Sequence, residues 1–142
     1  QDGWSVALAG RRKEALEEAE KVVERVGLGS RKDLLAKNLT IVDRKRLEIA
    51  KALATKPKLL LLDEVLAGLT PSEVDEAVKL IRDIRNSGIT ILMIEHVMRA
   101  VMQLCDRVLV ISYGEMIAEG SPQEVTQNPK VIEAYLGGED HA

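Results

Sequence analysis

Apolar and polar positions recur in two rhythms along this chain, and the change from one to the other marks its elements. From Arg11 to Val26 the residues Ala15, Leu16, Ala19, Val22, Val23 and Val26 fall three or four apart, with Lys and Glu between them. That spacing predicts an amphipathic helix with a solvated charged face. Gly27 follows, where a helix C-terminus favours glycine. Ser30 with Asp33 predicts the cap of a short helical piece through Leu34 and Leu35. Thr40 predicts the N-cap of a second helix carrying Leu47, Ile49, Ala50, Leu53 and Ala54, with Asp43 placed as in a capping box that uses Asp for Glu. Arg44, Lys45 and Arg46 crowd its first turns. A helix N-terminus disfavours cations for its own stability and attracts anions such as phosphate; on this helix alone, a basic solvent-facing surface is the simpler account.

The helical rhythm stops at Leu59-Leu60-Leu61-Leu62-Asp63-Glu64. A continuous apolar run of this length predicts a strand buried on both faces of a parallel sheet. Its two acids cannot be buried unpaired, so they belong at the carboxyl end of the strand, the edge of an open α/β sheet where ligands bind. A buried leucine segment followed by ordinary surface acids is the competing account. Thr70-Pro71-Ser72-Glu73 is a strong helix start, and Val74, Ala77, Val78, Ile81 and Ile84 carry that helix to about Arg85. Ile89 to Ile94 reads as a second buried strand ending in Glu95-His96. A short helix from Val97 to Leu104 and a third strand from Arg107 to Ile111 follow. Tyr113-Gly114 predicts a turn into a return strand over Met116 to Glu119. Ser121-Pro122-Gln123-Glu124 repeats the helix start, and Asn128-Pro129 opens a last helix to about Leu136, closed by Gly137-Gly138. Helix, strand, helix in this order is the grammar of a parallel sheet with right-handed crossovers.

Composition narrows the class without naming a function. The length of 142 residues fits one domain, and 46% apolar with 30% charged residues describes a globular chain. A formal net charge of -3 gives no reason to expect nucleic acid. The single cysteine, Cys105, allows no intrachain disulfide and reads as a small packing residue. No apolar run is long enough to span a bilayer. Gln1 to Gly10 is a weakly patterned lead-in in which Trp4 reads as a packing residue, and the tail with His141 reads as loose. A start at Gln1 rather than Met suggests a fragment or a processed chain.

Two strands that deliver polar groups at the same sheet edge make a candidate site. Asp63 is placed to hold Mg²⁺, directly or through water. Glu64 is placed to polarise an attacking water, and His96 to bind a phosphoryl oxygen or to orient that water. A lone histidine after a strand is usually structural; one beside a strand-end acid pair is harder to dismiss.

Leu59 to Glu64 looks like the Walker B motif of the ATP-binding-cassette (ABC) ATPases. Ala67-Gly68-Leu69-Thr70-Pro71 resembles their D-loop, and Ile94-Glu95-His96 their switch histidine. Leu39-Thr40-Ile41-Val42-Asp43, with the helix through Leu53, resembles the signature motif. All four occur in the family's order and spacing, over nearly the whole chain. The closing runs Gly114 to Gly120 and Val131 to Gly137 look most like the ATPases of branched-chain amino-acid importers. The signature departs from the usual Leu-Ser-Gly-Gly-Gln: Thr40 keeps a hydroxyl, Ile41 and Val42 replace both glycines, and Asp43 replaces glutamine. Thr70 stands where many relatives have Asp, and Val65 where proline is common. No glycine is followed by lysine, so the P-loop is absent; the adenine-stacking aromatic and the Q-loop glutamine would also lie upstream, and Gln1 stands too close to the signature to be that glutamine.

The resemblance implies an α/β fold of P-loop NTPase type: a mostly parallel sheet flanked by helices, incomplete because the P-loop strand is absent. Residues 1–56 would be part of the helical subdomain with the signature helix, and 57–142 the carboxyl-terminal part of the ATPase core. It implies an ATP-hydrolysing subunit that powers membrane import, with ATP and Mg²⁺ as cofactors, lying peripherally on the cytoplasmic face of the membrane. Its partners would be a second nucleotide-binding subunit and transmembrane permease subunits. Asp63 would hold Mg²⁺, with Glu64 and His96 catalytic. Thr40, Ile41, Val42 and Asp43 would face the partner's ATP, and Gly68, Leu69 and Thr70 would form the D-loop. The chain alone is expected to be inactive, and the missing strand to leave an unfilled place in the sheet. Two other accounts remain: a non-catalytic dimerisation or docking piece, and an ABC-type ATPase of DNA repair or translation.

Overall fold

The computed structural model describes residues 11–136. The lead-in with Trp4, the stop at Gly137-Gly138 and the tail with His141 lie outside the described residues. The chain forms two compact units. Of the described residues, one holds those up to Val65 together with Asp83–Met93; the other holds Leu66–Arg82 together with those from Ile94.

In the first unit, α1 (Arg11–Arg25) ends at Gly27, whose φ of +79° suits a residue without a Cβ. The Gly27 and Leu28 amides turn back onto the Glu24 and Val23 carbonyls, each at 2.9 Å, and satisfy the last turn. Only the end of the expected stripe is covered: Val26 is buried and Val22 and Val23 are half-buried, whereas Ala15, Leu16 and Ala19 are exposed. The expected piece capped by Ser30 and Asp33 does not form. Two 3-10 turns, Gly29–Arg31 and Ala36–Asn38, stand in its place without side-chain caps, and Leu34 and Leu35 face solvent. A single turn has too little apolar surface to be held by packing. Helix α2 (Ile41–Leu53) buries Ile49, Ala50 and Leu53 at helical spacing.

Strand β1 (Leu59–Asp63) and β2 (Thr90–Ile94) form a parallel pair, and the Thr90 amide bonds the Lys58 carbonyl at 3.0 Å at its start. The strands are not buried on both faces as expected. Leu60 and Leu62 are 3% and 5% exposed, but Leu59 and Leu61 are 51% and 65% exposed. Leu92 and Ile94 of β2 are exposed too. Side chains of a strand alternate between two faces, and among the described residues only one face of β1 is covered.

Helix α3 (Pro71–Asn86) joins β1 to β2 in sequence and buries Val74, Val78, Ile81 and Ile84. In the second unit, α4 (Met98–Leu104) buries Ala100, Val101 and Leu104. Strands β3 (Val108–Ser112) and β4 (Glu115–Gly120) pair antiparallel, with a register shift between Val110 and Ile111. Tyr113 (φ +49°) and Gly114 (φ +84°) make a two-residue turn with both residues left-handed, whose twist matches that of the strands. Leu109 and Ile111 are exposed, so β3 is also covered on one face only. Ser121 and Glu124 close a full capping box at the start of α5 (Pro122–Thr126). The expected last helix forms over its expected span but changes type: α6 (Pro129–Val131) widens into a π turn over Ile132–Leu136. There the Tyr135 hydroxyl donates to the Ile111 carbonyl. The class is the expected one, α/β with a parallel pair flanked by helices.

Candidate functional site

Each unit carries part of the predicted site. In the first, Thr40 stands at the N-cap of α2 and its Oγ1 accepts the Asp43 amide N–H at 3.1 Å. That is half of the expected capping box. The Asp43 carboxylate does not return to Thr40; it accepts from the Arg31 guanidinium at 3.1 Å. Asp43 is 4% exposed, and a buried carboxylate takes the strongest donor within reach. Asp43 is thus held inward by Arg31 at the end of the 3-10 turn Gly29–Arg31. Ile41 projects into solvent at 60% exposure, and Val42 is half-buried. The Thr40 hydroxyl, with its acceptor side in use, still has its own O–H to donate.

Asp63 closes β1 and is exposed, and Glu64 follows with φ +45°. A non-glycine residue in this region costs of order 1–3 kcal/mol and persists where its surroundings over-determine it. Its backbone carbonyl accepts from Lys45 Nζ at 3.3 Å, so one of the three cations in the first turns of α2 is spent on the strand end. The sequence pattern alone attributed these cations to solvent or to an anion. Asp63 offers hard oxygen donors, which suit Mg²⁺. Among the described residues no three His, Cys, Asp or Glu side chains cluster as a self-sufficient metal site. Mg²⁺ is usually held by one or two carboxylates with phosphate and water in the remaining positions, and the exposed Asp63 carboxylate is compatible with that arrangement.

In the second unit, Gly68 (φ +75°) bends the loop after β1, and the Leu69 amide bonds the Leu66 carbonyl at 3.3 Å. Thr70 ends the loop: its amide and hydroxyl both donate to Glu73 Oε2 at 2.7 Å, which fixes the start of α3. A cavity of about 380 Å³ is lined by Leu66, Gly68, Leu69, Val74, His96 and Arg99, among others. The structure thus brings His96 together with two of the three predicted D-loop residues. Sequence reasoning did not single out Glu95. Its Oε1 accepts the Leu66 amide at 2.9 Å, tying the end of β2 to the loop after β1. An acid abutting an apolar strand was the available signal, and His96 beside it took the attention.

Comparison with known proteins follows the same residues. A family model described as ABC transporter matches residues 4–67, and one described as branched-chain amino acid ATP-binding cassette transporter matches 115–141. The high-affinity branched-chain amino acid transport ATP-binding protein LivG of Salmonella typhimurium is 46% identical over 125 residues, covering 87% of this chain and 49% of that protein. This chain belongs to the ABC ATPases. The lipopolysaccharide export system ATP-binding protein LptB of Haemophilus influenzae is 37% identical over 121 residues, covering 85% and 50%. The crystal structure of the ADP conformation of MJ1267, an ATP-binding cassette of an ABC transporter, superposes with a TM-score of 0.80 at 34% identity, covering 87% of this chain and 50% of that one. The chain spans about half the length of the curated ABC relatives it matches. The ABC family binds ATP with Mg²⁺, and its importer members work with permease subunits.

Proposed function

We propose that this chain is the carboxyl-terminal part of an ATP-hydrolysing subunit that powers import of branched-chain amino acids. The observation that carries the solute class is the match of residues 115–141 to the branched-chain family model, joined to the 46% identity with LivG. In this reading residues 1–56 are part of the helical subdomain with the signature helix, and 57–142 belong to the ATPase core. Asp63 holds Mg²⁺ beside the phosphates of ATP. Glu64 accepts the proton of the attacking water. His96 donates to a phosphoryl oxygen or orients that water. Gly68, Leu69 and Thr70 form the D-loop. Thr40, at the free N–H groups of α2, offers its O–H to the γ-phosphate held by a second nucleotide-binding subunit; Ile41, Val42 and the inward-held Asp43 flank it. The subunit lies on the inner face of the membrane against the permease. No helix among the described residues is long and apolar enough to cross a membrane.

The test is a hybrid in which this chain replaces the matching half of LivG, expressed in cells that lack LivG. The hybrid is expected to hydrolyse ATP and restore leucine uptake, and Glu64→Gln to lower hydrolysis about a hundredfold or more. A Glu64→Gln rate equal to wild type would remove that residue from the mechanism. Hydrolysis without leucine uptake would favour the second reading, export, which the 37% identity with LptB supports. The 142-residue chain by itself has no Gly-x-x-x-x-Gly-Lys cradle. Titration with Mg-ATP in a calorimeter is expected to show no micromolar binding; such a signal would contradict the assignment of the phosphate cradle to other residues of the whole protein.

A further inference from the structure

Glu95 uses half of its carboxylate. Oε1 accepts the Leu66 amide, while Oε2 is buried with no hydrogen-bond partner. A carboxylate oxygen shut from water without a donor is costly, and native structures keep few such groups. The amide that Oε1 holds belongs to a residue 1% exposed, so that bond is shielded from water. Leu66 also opens the loop that, together with His96, lines the cavity.

We propose that Glu95 is a positioning residue for ATP hydrolysis: it ties the loop Leu66–Leu69 to the strand end that carries His96, and Oε2 receives a hydrogen-bond donor when the loop takes its working arrangement. This deepens the reading above and rests on it. An ionised carboxylate only accepts, and it has room for donors at both oxygens. One donor is in place and the other position is shielded and waiting. Glutamine separates the two halves of the role. Its carbonyl oxygen can still accept from Leu66, while its NH₂ replaces an acceptor by a donor at the second position. Alanine removes both.

Amide exchange in the 142-residue chain reads the first half. Glu95→Ala is expected to speed exchange at Leu66 at least tenfold, and Glu95→Gln to leave it within about threefold; unchanged exchange in the alanine variant overturns the tie. Hydrolysis by the LivG hybrid reads the second half. Glu95→Gln is expected to lower kcat about tenfold with the KM for ATP within twofold, at an unchanged melting temperature. A kcat within twofold of wild type overturns the role of Oε2. A loss of kcat matched by a lower melting temperature also overturns it, because the residue would then be structural only. An inactive wild-type hybrid counts against the proposed function instead, and the exchange experiment still decides the tie.

Discussion

At the scale of single residues, the site is set by where two carboxylates send their oxygens. Asp43 faces Arg31 rather than the helix start, although the guanidinium side chain is 44% exposed. Arg31→Ala is expected to leave a buried carboxylate without its cation. Because Arg31 is half in solvent, the loss should be roughly 1–3 kcal/mol, below that of a fully buried pair; urea unfolding measures it, and an unchanged midpoint would show that the pair contributes nothing. Neither partner choice was legible in the sequence. Thr40 and Asp43 are three apart on one helix, so their capping geometry could be anticipated; Arg31 reaches Asp43 only because the intervening segment folds as 3-10 turns. In the same way the pair Glu95-His96 announced polar chemistry at a strand end, but not which of the two would turn to the Leu66 backbone.

At the scale of elements, the periodic segments were readable and the aperiodic ones were not. Helices α2 and α3 bury most of the stripes their spacing predicts, although Leu47 and Ala77 are half-buried and Ala54 is exposed, and their capping residues stand where expected. The run Leu59–Leu62 carries no period, so it reads the same whether one face of the strand is covered or two. Capping gives a pH dependence. The Ser121 backbone N–H, and then its hydroxyl, hold the Glu124 carboxyl below its ordinary value of 4.5. The Thr70 backbone N–H and hydroxyl do the same for Glu73. A carboxylate whose folded pKa is depressed stabilises above its unfolded pKa, and that support is lost as the pH falls through the folded value. The first turns of α5 and α3 are therefore expected to loosen below pH 4.5, with the amides of Ser121 and Thr70 exchanging faster; a pH-independent protection pattern would count against both caps. In the β3–β4 turn, Tyr113 is fully exposed and left-handed. Tyr113→Asn is expected to raise stability by about 0.5–1 kcal/mol, since Asn accepts this conformation more readily; a lower thermal midpoint would contradict the turn assignment.

At the scale of the whole molecule, strands β1, β2 and β3 leave large apolar side chains exposed among the described residues. Leu59, Leu61, Leu92, Ile94, Leu109 and Ile111 all stand at 47% exposure or more. Such surface favours association. The chain alone is expected to self-associate in sedimentation at micromolar concentration, and Leu61→Thr with Leu92→Thr to reduce that association; a monomer at all concentrations would show that these faces do not drive contact. The alternation along β1 has one more consequence, for how this sequence can drift. Leu60 and Leu62 are confined by packing in this chain whatever it is joined to. Leu59 and Leu61 are more than half exposed among the described residues, so if the chain worked alone they could become polar at little cost. Natural variants that keep leucine-like side chains at 59 and 61 as strictly as at 60 and 62 would record the presence of a covering surface in the working protein.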